Sequence, residues 1–127
     1  VFHVKRISTG SPFESAMGYS RAVAKGGWCF VSGVTGYDYG TMTMPKTVSE
    51  QASACFQTIQ NVLVEAGFEL ADIVRVQYTL VDATLLAEVA PILGEALADV
   101  RPAATMVIAG LIRPEMLIEI EVTAFKG

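Results

Sequence analysis

Few side chains in this sequence are of the types that do chemistry near neutral pH. There is one histidine, His3, and there are two cysteines, Cys29 and Cys55. A nucleophilic thiol needs a base or cation beside it, and His3 is the only imidazole available. Cys29 falls in an apolar run and Cys55 on the apolar side of a helical pattern, so both read as buried, reduced thiols. No His/Cys ligand spacing recurs, so no metal site is expected. What remains is carboxylate and guanidinium chemistry. Glu119 and Glu121 alternate with Ile118, Ile120 and Val122. Arg75, Gln77 and Thr79 alternate with Val74, Val76, Tyr78 and Leu80 in the same way. Each stretch is a strand with one apolar and one polar side. The polar sides meet either water or a second copy of the chain.

The elements that must position these groups follow from pattern and punctuation. A short strand is expected over residues 2–7, and Ser8–Gly18 reads as a loop. Tyr19–Ala24 and Trp28–Ser32 flank Lys25, Gly26 and Gly27 as a hairpin. Gly33–Lys46 is a long irregular segment of the kind that often carries function. Thr47 and Glu50 form a capping box. Ala52, Cys55, Phe56, Ile59, Val62, Leu63 and Ala66 then recur at helical spacing, and Gly67 stops the helix. A strand over Ile73–Val81 follows, then a second helix over about Thr84–Asp99. Leu85, Leu86, Val89, Leu93 and Leu97 line that helix, and Pro91 either kinks it or marks an early turn. Strands over Ala103–Ala109 and Leu117–Ala124 close the chain around a turn at Ile112–Glu115. The order β-β-β-α-β-α-β-β gives two helices covering one face of one sheet. All 127 residues are expected to form a single α+β domain.

Composition narrows the function classes. Hydrophobic residues make up 52% and charged residues 17%, a surplus of apolar surface of the sort that ends up in subunit interfaces. No apolar run nears the roughly 18 residues of a membrane span. The N-terminal residues show no signal-peptide core, so a cytoplasmic protein is the expectation. The formal net charge is −4, and the basic residues are scattered apart from the adjacent Lys5 and Arg6. A phosphate backbone calls for clustered Lys and Arg, so nucleic acid is a disfavoured partner.

Several short motifs, in order, resemble the YjgF/RidA (Rid, L-PSP) family. They are Tyr19-Ser20, Val31-Ser32-Gly33, Gln51 and Asn61, Glu65-Ala66-Gly67, Asp72-Ile73-Val74, Asp82, Pro102-Ala103 and Ile118-Glu119-Ile120-Glu121. The resemblance implies a chorismate-mutase-like fold, a mixed sheet with two helices on one face, assembled as a homotrimeric barrel with clefts between subunits. It implies a cofactor-free hydrolase, or deaminase, that converts reactive imines and enamines into 2-keto acids and ammonia. Tyr19, Ser32, Gly33 and Glu119 match the family's cleft positions. Of these, Tyr19 and Glu119 are candidate catalytic groups, and Ser32 and Gly33 candidate substrate contacts. The family's carboxylate-binding Arg falls at Ala104, and its common Asn in the second helix at Ala90. The chain therefore resembles an Arg-lacking branch with an altered small-molecule substrate.

Arg21 lies two residues after Tyr19, so both leave the same side of an extended segment. It is a candidate replacement for the cation missing at Ala104. Arg101 and Arg113, in loops beside the same strand, are weaker candidates. A structural role remains open for each of these residues, and for Glu119 the alternative is an ion pair with Arg75. Three functions compete: the hydrolase, a non-catalytic metabolite-binding trimer, and the endoribonuclease activity after which part of the family is labelled. The last is disfavoured by the acidic balance and the lone histidine.

Overall fold

The computed structural model describes residues 3–127. Phe2, at the start of the first expected strand, lies outside them, and that strand runs over Val4–Ile7 (β1). The remaining elements are α1 (Pro12–Met17), β2 (Ala22–Lys25), β3 (Trp28–Val34), α2 (Val48–Ala66), β4 (Ile73–Leu80), α3 (Leu86–Ala96), β5 (Ala103–Ile108) and β6 (Ile118–Phe125). The strands form one sheet in the order β1-β2-β3-β6-β4-β5. Every pair is antiparallel except β4 with β5. That parallel pair is joined by α3, as a parallel connection requires. Helices α2 and α3 pack on each other and cover the same face. The α+β architecture with two long helices on one side of a mixed sheet is therefore as expected.

Local chemistry explains most of the boundaries. The β2–β3 turn is Gly26-Gly27, with φ of 57° and 86°, between the paired Lys25 and Trp28. Two positive φ angles in a two-residue loop match the right-handed twist of the flanking strands. Thr47 caps α2 by accepting from the Glu50 N–H at 3.2 Å. The capping box is only half formed, because the Glu50 carboxylate accepts from the Thr47 hydroxyl and not from its backbone. Gly67 ends α2 in the left-handed region. The core joins Ala52, Cys55, Ile59 and Leu63 of α2 with Val89 and Leu93 of α3 and with Cys29, Val76, Leu80, Ile118, Ile120 and Ala124 of the sheet.

Three expectations need correction. The Ser8–Gly18 segment is not all loop. Ser11 accepts from the Phe13 N–H, Pro12 takes the first helical position and Gly18 closes a six-residue helix in the left-handed region. The second helix is shorter than 84–99: a 3-10 turn over Ala83–Leu85, capped by Asp82, precedes α3, and Leu86 is exposed. Pro91 sits inside α3. Finally, Val74 does not share a face with Val76. The register runs from Ile73↔Ala124 to Arg75↔Thr123, so β4 spends two steps where β6 spends one. Val74 is the bulged residue and stays exposed while Ile73 and Val76 are buried.

Candidate functional site

A second bulge builds the site. The β3–β6 register passes from Val31↔Val122 to Val34↔Ile120, so β3 takes three steps against two on β6. The extra residue falls at Ser32-Gly33. A bulge re-aims the side chains around it. Here it brings the Gly33 backbone against the end of the Glu119 side chain. A Cβ added at Gly33 would lie 2.6 and 2.8 Å from the two Glu119 carboxylate oxygens. Only the absence of a side chain at 33 leaves that carboxyl its place.

Arg21 holds the bulge from the other side. Its Nη1 donates to the Gly33 carbonyl at 2.7 Å and to Ser32 Oγ at 3.4 Å. Ser32 Oγ in turn lies 3.0 Å from the Ser20 carbonyl and 2.9 Å from that of Arg21. The guanidinium is stacked between two rings, 4.7 Å from the Tyr39 centroid and 5.7 Å from the Tyr19 centroid. The Tyr39 hydroxyl is pinned by the Thr35 N–H at 3.0 Å. Arg21 is 1% exposed, and its Nε, buried, has no hydrogen-bond partner.

These groups line a cavity of about 500 Å³. Tyr19, Arg21, Ser32, Gly33 and Glu119 form its polar floor, joined by Thr79 from β4. Phe13 and Met17 of α1 and Leu111, Ile112 and Met116 of the β5–β6 connection supply apolar walls. Five of the six expected site residues thus meet in one place. Ala104 does not. It pairs with Val76, whose side chain faces the helices, so Ala104 lies on the helix side of β5 near Leu93 and Leu97. Even an arginine at 104 would leave the sheet on the side away from this chain's own cavity. Arg101 lies beside Ala104, away from that cavity as well. Arg113 stacks 4.8 Å over Phe13 and pairs with Glu115 at 4.0 Å, so it braces the rim.

The electrostatics separate the two charged groups. Burial raises the Glu119 pKa above its ordinary value, the charge of Glu121 raises it further, and Arg21 opposes both. Burial also raises the Tyr19 phenol. No ion pair joins Glu119 to Arg75 within the chain. The register puts Thr79 opposite Glu119 and Thr123 opposite Arg75, and Arg75 bonds Gln77 instead. The Cys55 thiol, buried against the Val34 carbonyl, is pushed far up and cannot act as a nucleophile. Among the described residues, no three His, Cys, Asp or Glu side chains are grouped to hold a metal ion.

Sequence reasoning missed Phe13, Met17 and Tyr39. Their signals were present: Ser-Pro before a glycine-ended stretch for α1, and paired tyrosines, Tyr37 and Tyr39, in a glycine-rich segment. It also missed what Gln51 does. Buried on α2, Gln51 donates to the Pro45 and Glu115 carbonyls and accepts from the Leu117 N–H, each at 2.9 Å. It thereby ties the 36–45 segment to the start of β6, which carries Glu119.

The family profile described as Endoribonuclease L-PSP matches residues 9–126. The chain belongs to the YjgF/RidA (L-PSP) family. A member of the YjgF/YER057c/UK114 family from Mycobacterium tuberculosis has a crystal structure that superposes with a TM-score of 0.89 at 35% identity, over 98% of this chain and 100% of that one. RidA from a Psychrobacter species gives a TM-score of 0.84 at 26% identity, covering 95% and 98%. An uncharacterized protein of Streptomyces coelicolor is 30% identical over 98% of this chain and 93% of its own length. The mitochondrial protein Mmf1 of Saccharomyces cerevisiae is 28% identical over 94% of this chain and 83% of its own length. The likeness to these proteins spans nearly the whole chain. No helix among the described residues is long and apolar enough to cross a membrane.

Proposed function

We propose that this chain hydrolyses a small reactive imine or enamine, releasing ammonia, with Glu119 as the proton-transfer group. The observation that carries this reading is the Glu119 carboxyl, held against the bulge at Gly33 in a half-buried cavity with its pKa raised. A carboxyl poised nearer neutrality can be present in both protonation states, as a general acid and base must be. Protonated, Glu119 gives its proton to the imine nitrogen. As the carboxylate, it takes one from the water that attacks the C=N carbon. Protonated again, Glu119 passes that proton to the amine nitrogen of the carbinolamine; the C–N bond breaks as the hydroxyl oxygen becomes a carbonyl and returns its proton to Glu119, and water and imine have become a carbonyl compound and ammonia. Tyr19, its phenol kept neutral by burial, orients the adding oxygen. The scheme uses no cofactor.

Assembly belongs to the same proposal. Trp28, Phe30 and Phe125 stand exposed and packed together on the sheet face opposite the helices, with centroids 4.5 and 6.1 Å apart. Such a patch fits burial in a homotrimeric barrel. A cytoplasmic location remains part of the proposal. A non-catalytic metabolite-binding role is the second reading, favoured by Ala104 and Ala90, which carry no group to hold a substrate. The endoribonuclease reading draws the least support, since the cavity floor carries one cation, Arg21, and no imidazole.

The test is ammonia release from imino acids generated in situ by an amino-acid oxidase. Acceleration above the spontaneous rate is expected, with Glu119→Gln lowering kcat/KM by about 100- to 1,000-fold. No acceleration across side chains would leave the binding role as the better account.

A further inference from the structure

We propose that Tyr37 is a positioning residue: through Glu115 and Arg113 it clasps α1 to the β5–β6 connection, and so fixes the two apolar walls of the cavity relative to each other. This deepens the hydrolase reading, on which its effect on substrate rests, by naming a residue that governs how the site holds what it binds.

Four side chains from three segments close a ring. Tyr37, in the irregular segment after β3, donates its phenol hydrogen to Glu115 Oε2 at 2.5 Å. The same oxygen lies 4.0 Å from Arg113 Nη1. The Arg113 guanidinium stacks 4.8 Å from the centre of the Phe13 ring. Phe13 then returns to Tyr37, with ring centroids 6.0 Å apart. The links are unequal. The Arg113 and Glu115 side chains are 50% and 42% exposed, and an exposed ion pair holds little on its own. Tyr37 is buried, and its bond to a carboxylate is of the short, charge-assisted kind. That bond holds the Glu115 pKa below its ordinary value, and the Arg113 charge acts the same way, so the acceptor is ionised near neutral pH. Burial, and after it Glu115 itself, raises the Tyr37 phenol, so the donor keeps its proton. Tyr37 is the fixed point, and Glu115 aligns Arg113 over Phe13.

Of the four, only Phe13 lines the cavity. It stands on α1, while Leu111, Ile112 and Met116 of the opposite wall flank Arg113 and Glu115 in the connection. The ring therefore ties one wall to the other. Helix α1 needs such a tie. Six residues are too few for a helix to be stable alone. Among the described residues, no strand or other helix packs along it. It hangs between Gly10 and Gly18, at φ of 77° and 72°, with open space where a Cβ would stand at each. Glu14 anchors α1 only to Thr9, just before Gly10. That contact steadies the helix without fixing it to the opposite wall. The start of β6 is held separately, since Gln51 donates to the Glu115 carbonyl and accepts from the Leu117 N–H. Opening the clasp thus frees α1 and leaves β6, with Glu119, in place. Walls already held bind a ligand without the cost of ordering them. With the clasp open, apparent affinity falls with the fraction of time the walls spend in the binding arrangement.

The test reads α1 first and its effect on substrate second. Hydrogen exchange is measured on the intact protein over residues 9–19, where the Glu14, Gly18 and Tyr19 N–H groups are bonded within the turn. Tyr37→Phe keeps the ring and removes the donor. Exchange over 9–19 should quicken about tenfold, as for a lost charge-assisted bond, while α2 stays unchanged. Glu115→Ala should do the same, and because Glu115 is exposed it carries the test if Tyr37→Phe fails to fold. The double variant should go no further than either single one, since both break one link. For ammonia release from an imino acid, each single variant should raise KM about tenfold and leave kcat within about twofold. Thr47→Ala removes the α2 cap without touching the clasp, so it should lower stability and leave both exchange over 9–19 and KM unchanged. Unchanged exchange over 9–19 in both single variants overturns the proposal. So does a double variant that adds the two effects, or a fall in kcat at constant KM. A parent protein that releases no ammonia sinks the hydrolase, and the exchange result still decides the clasp. Normal turnover by the parent with unchanged exchange in the variants keeps the hydrolase and sinks the clasp.

Discussion

Gly33 and Gly36 lie three residues apart in the segment leaving β3, and neither has a left-handed φ. Alanine is conformationally allowed at both, so only what its methyl group meets decides the outcome. At Gly33 the methyl meets the Glu119 carboxylate oxygens at 2.6 and 2.8 Å. These are the far end of a flexible side chain. The carboxyl carbon Cδ is nearer still, so retreating to the 3.4 Å of ordinary contact displaces the carboxyl by about 1 Å. The fold can absorb that shift, and the lost freedom of the unfolded chain offsets it by about 0.4–1 kcal/mol. Catalysis cannot absorb it, because a misplacement near 1 Å costs on the order of 100-fold. At Gly36 the methyl meets Gln51 Cα and Cβ at 2.8 Å. That is the backbone and root of a buried helical residue, which has nowhere to go. Overpacking there should cost about 2–3 kcal/mol. Gly33→Ala should therefore unfold in urea within about 1 kcal/mol of the parent while losing about 100-fold in kcat/KM for ammonia release. Gly36→Ala should lose stability first. A Gly33→Ala protein with full activity would refute the placement of Glu119 at the reacting centre. One as unstable as Gly36→Ala would refute the claim that the carboxyl yields.

Two further outcomes follow from the same structure. Gln51→Ala strands two buried carbonyls and one N–H, and urea unfolding should register a loss of about 3 kcal/mol. Gln51→Glu should do no better, since a carboxylate cannot donate to the Pro45 and Glu115 carbonyls. Burial raises the folded-state pKa of Glu119 above its ordinary 4.5. The folded protein therefore holds more protons than the unfolded chain between those two values, and this contribution to stability falls as pH rises through that window. Glu119→Gln carries no such charge, so its stability relative to the parent should increase with pH above about 4.5. Parallel stability–pH curves for the two proteins would show that Glu119 ionises without penalty.

The exposed aromatics of the sheet link these site arguments to assembly. Trp28, Phe30 and Phe125 share a face with Glu121 and Arg75, the side opposite the helices. On a monomer that face mixes apolar and charged groups in water.

Some of this protein could be read along the chain alone. Helix α2 was legible because a cap at Thr47, an apolar stripe at helical spacing and a stop at Gly67 are all local signals. Strand β6 was legible because Ile118, Ile120 and Val122 alternate strictly with Glu119, Glu121 and Thr123. The Gly26-Gly27 turn announced its own geometry. The resemblance of motifs from Tyr19 to Glu121 was likewise a property of sequence order. What the chain could not disclose depends on pairs of segments. A bulge exists only relative to the partner strand, so nothing in the β4 sequence shows that Val74 leaves the core. Nor does β3 alone show that Ser32-Gly33 turns toward Glu119. The same holds for Ala104, whose face is set by its register with Val76 on a neighbouring strand. Helix α1 is too short for periodicity to reveal, and its Phe13 and Met17 gain a role only when the segment at 110–112 arrives opposite. Arg21 shows the division most clearly. Its spacing from Tyr19 implied a shared direction, which depends on local geometry. Its burial and its place between Tyr19 and Tyr39 were decided by tertiary packing, because a charge acquires its environment only when distant segments close around it.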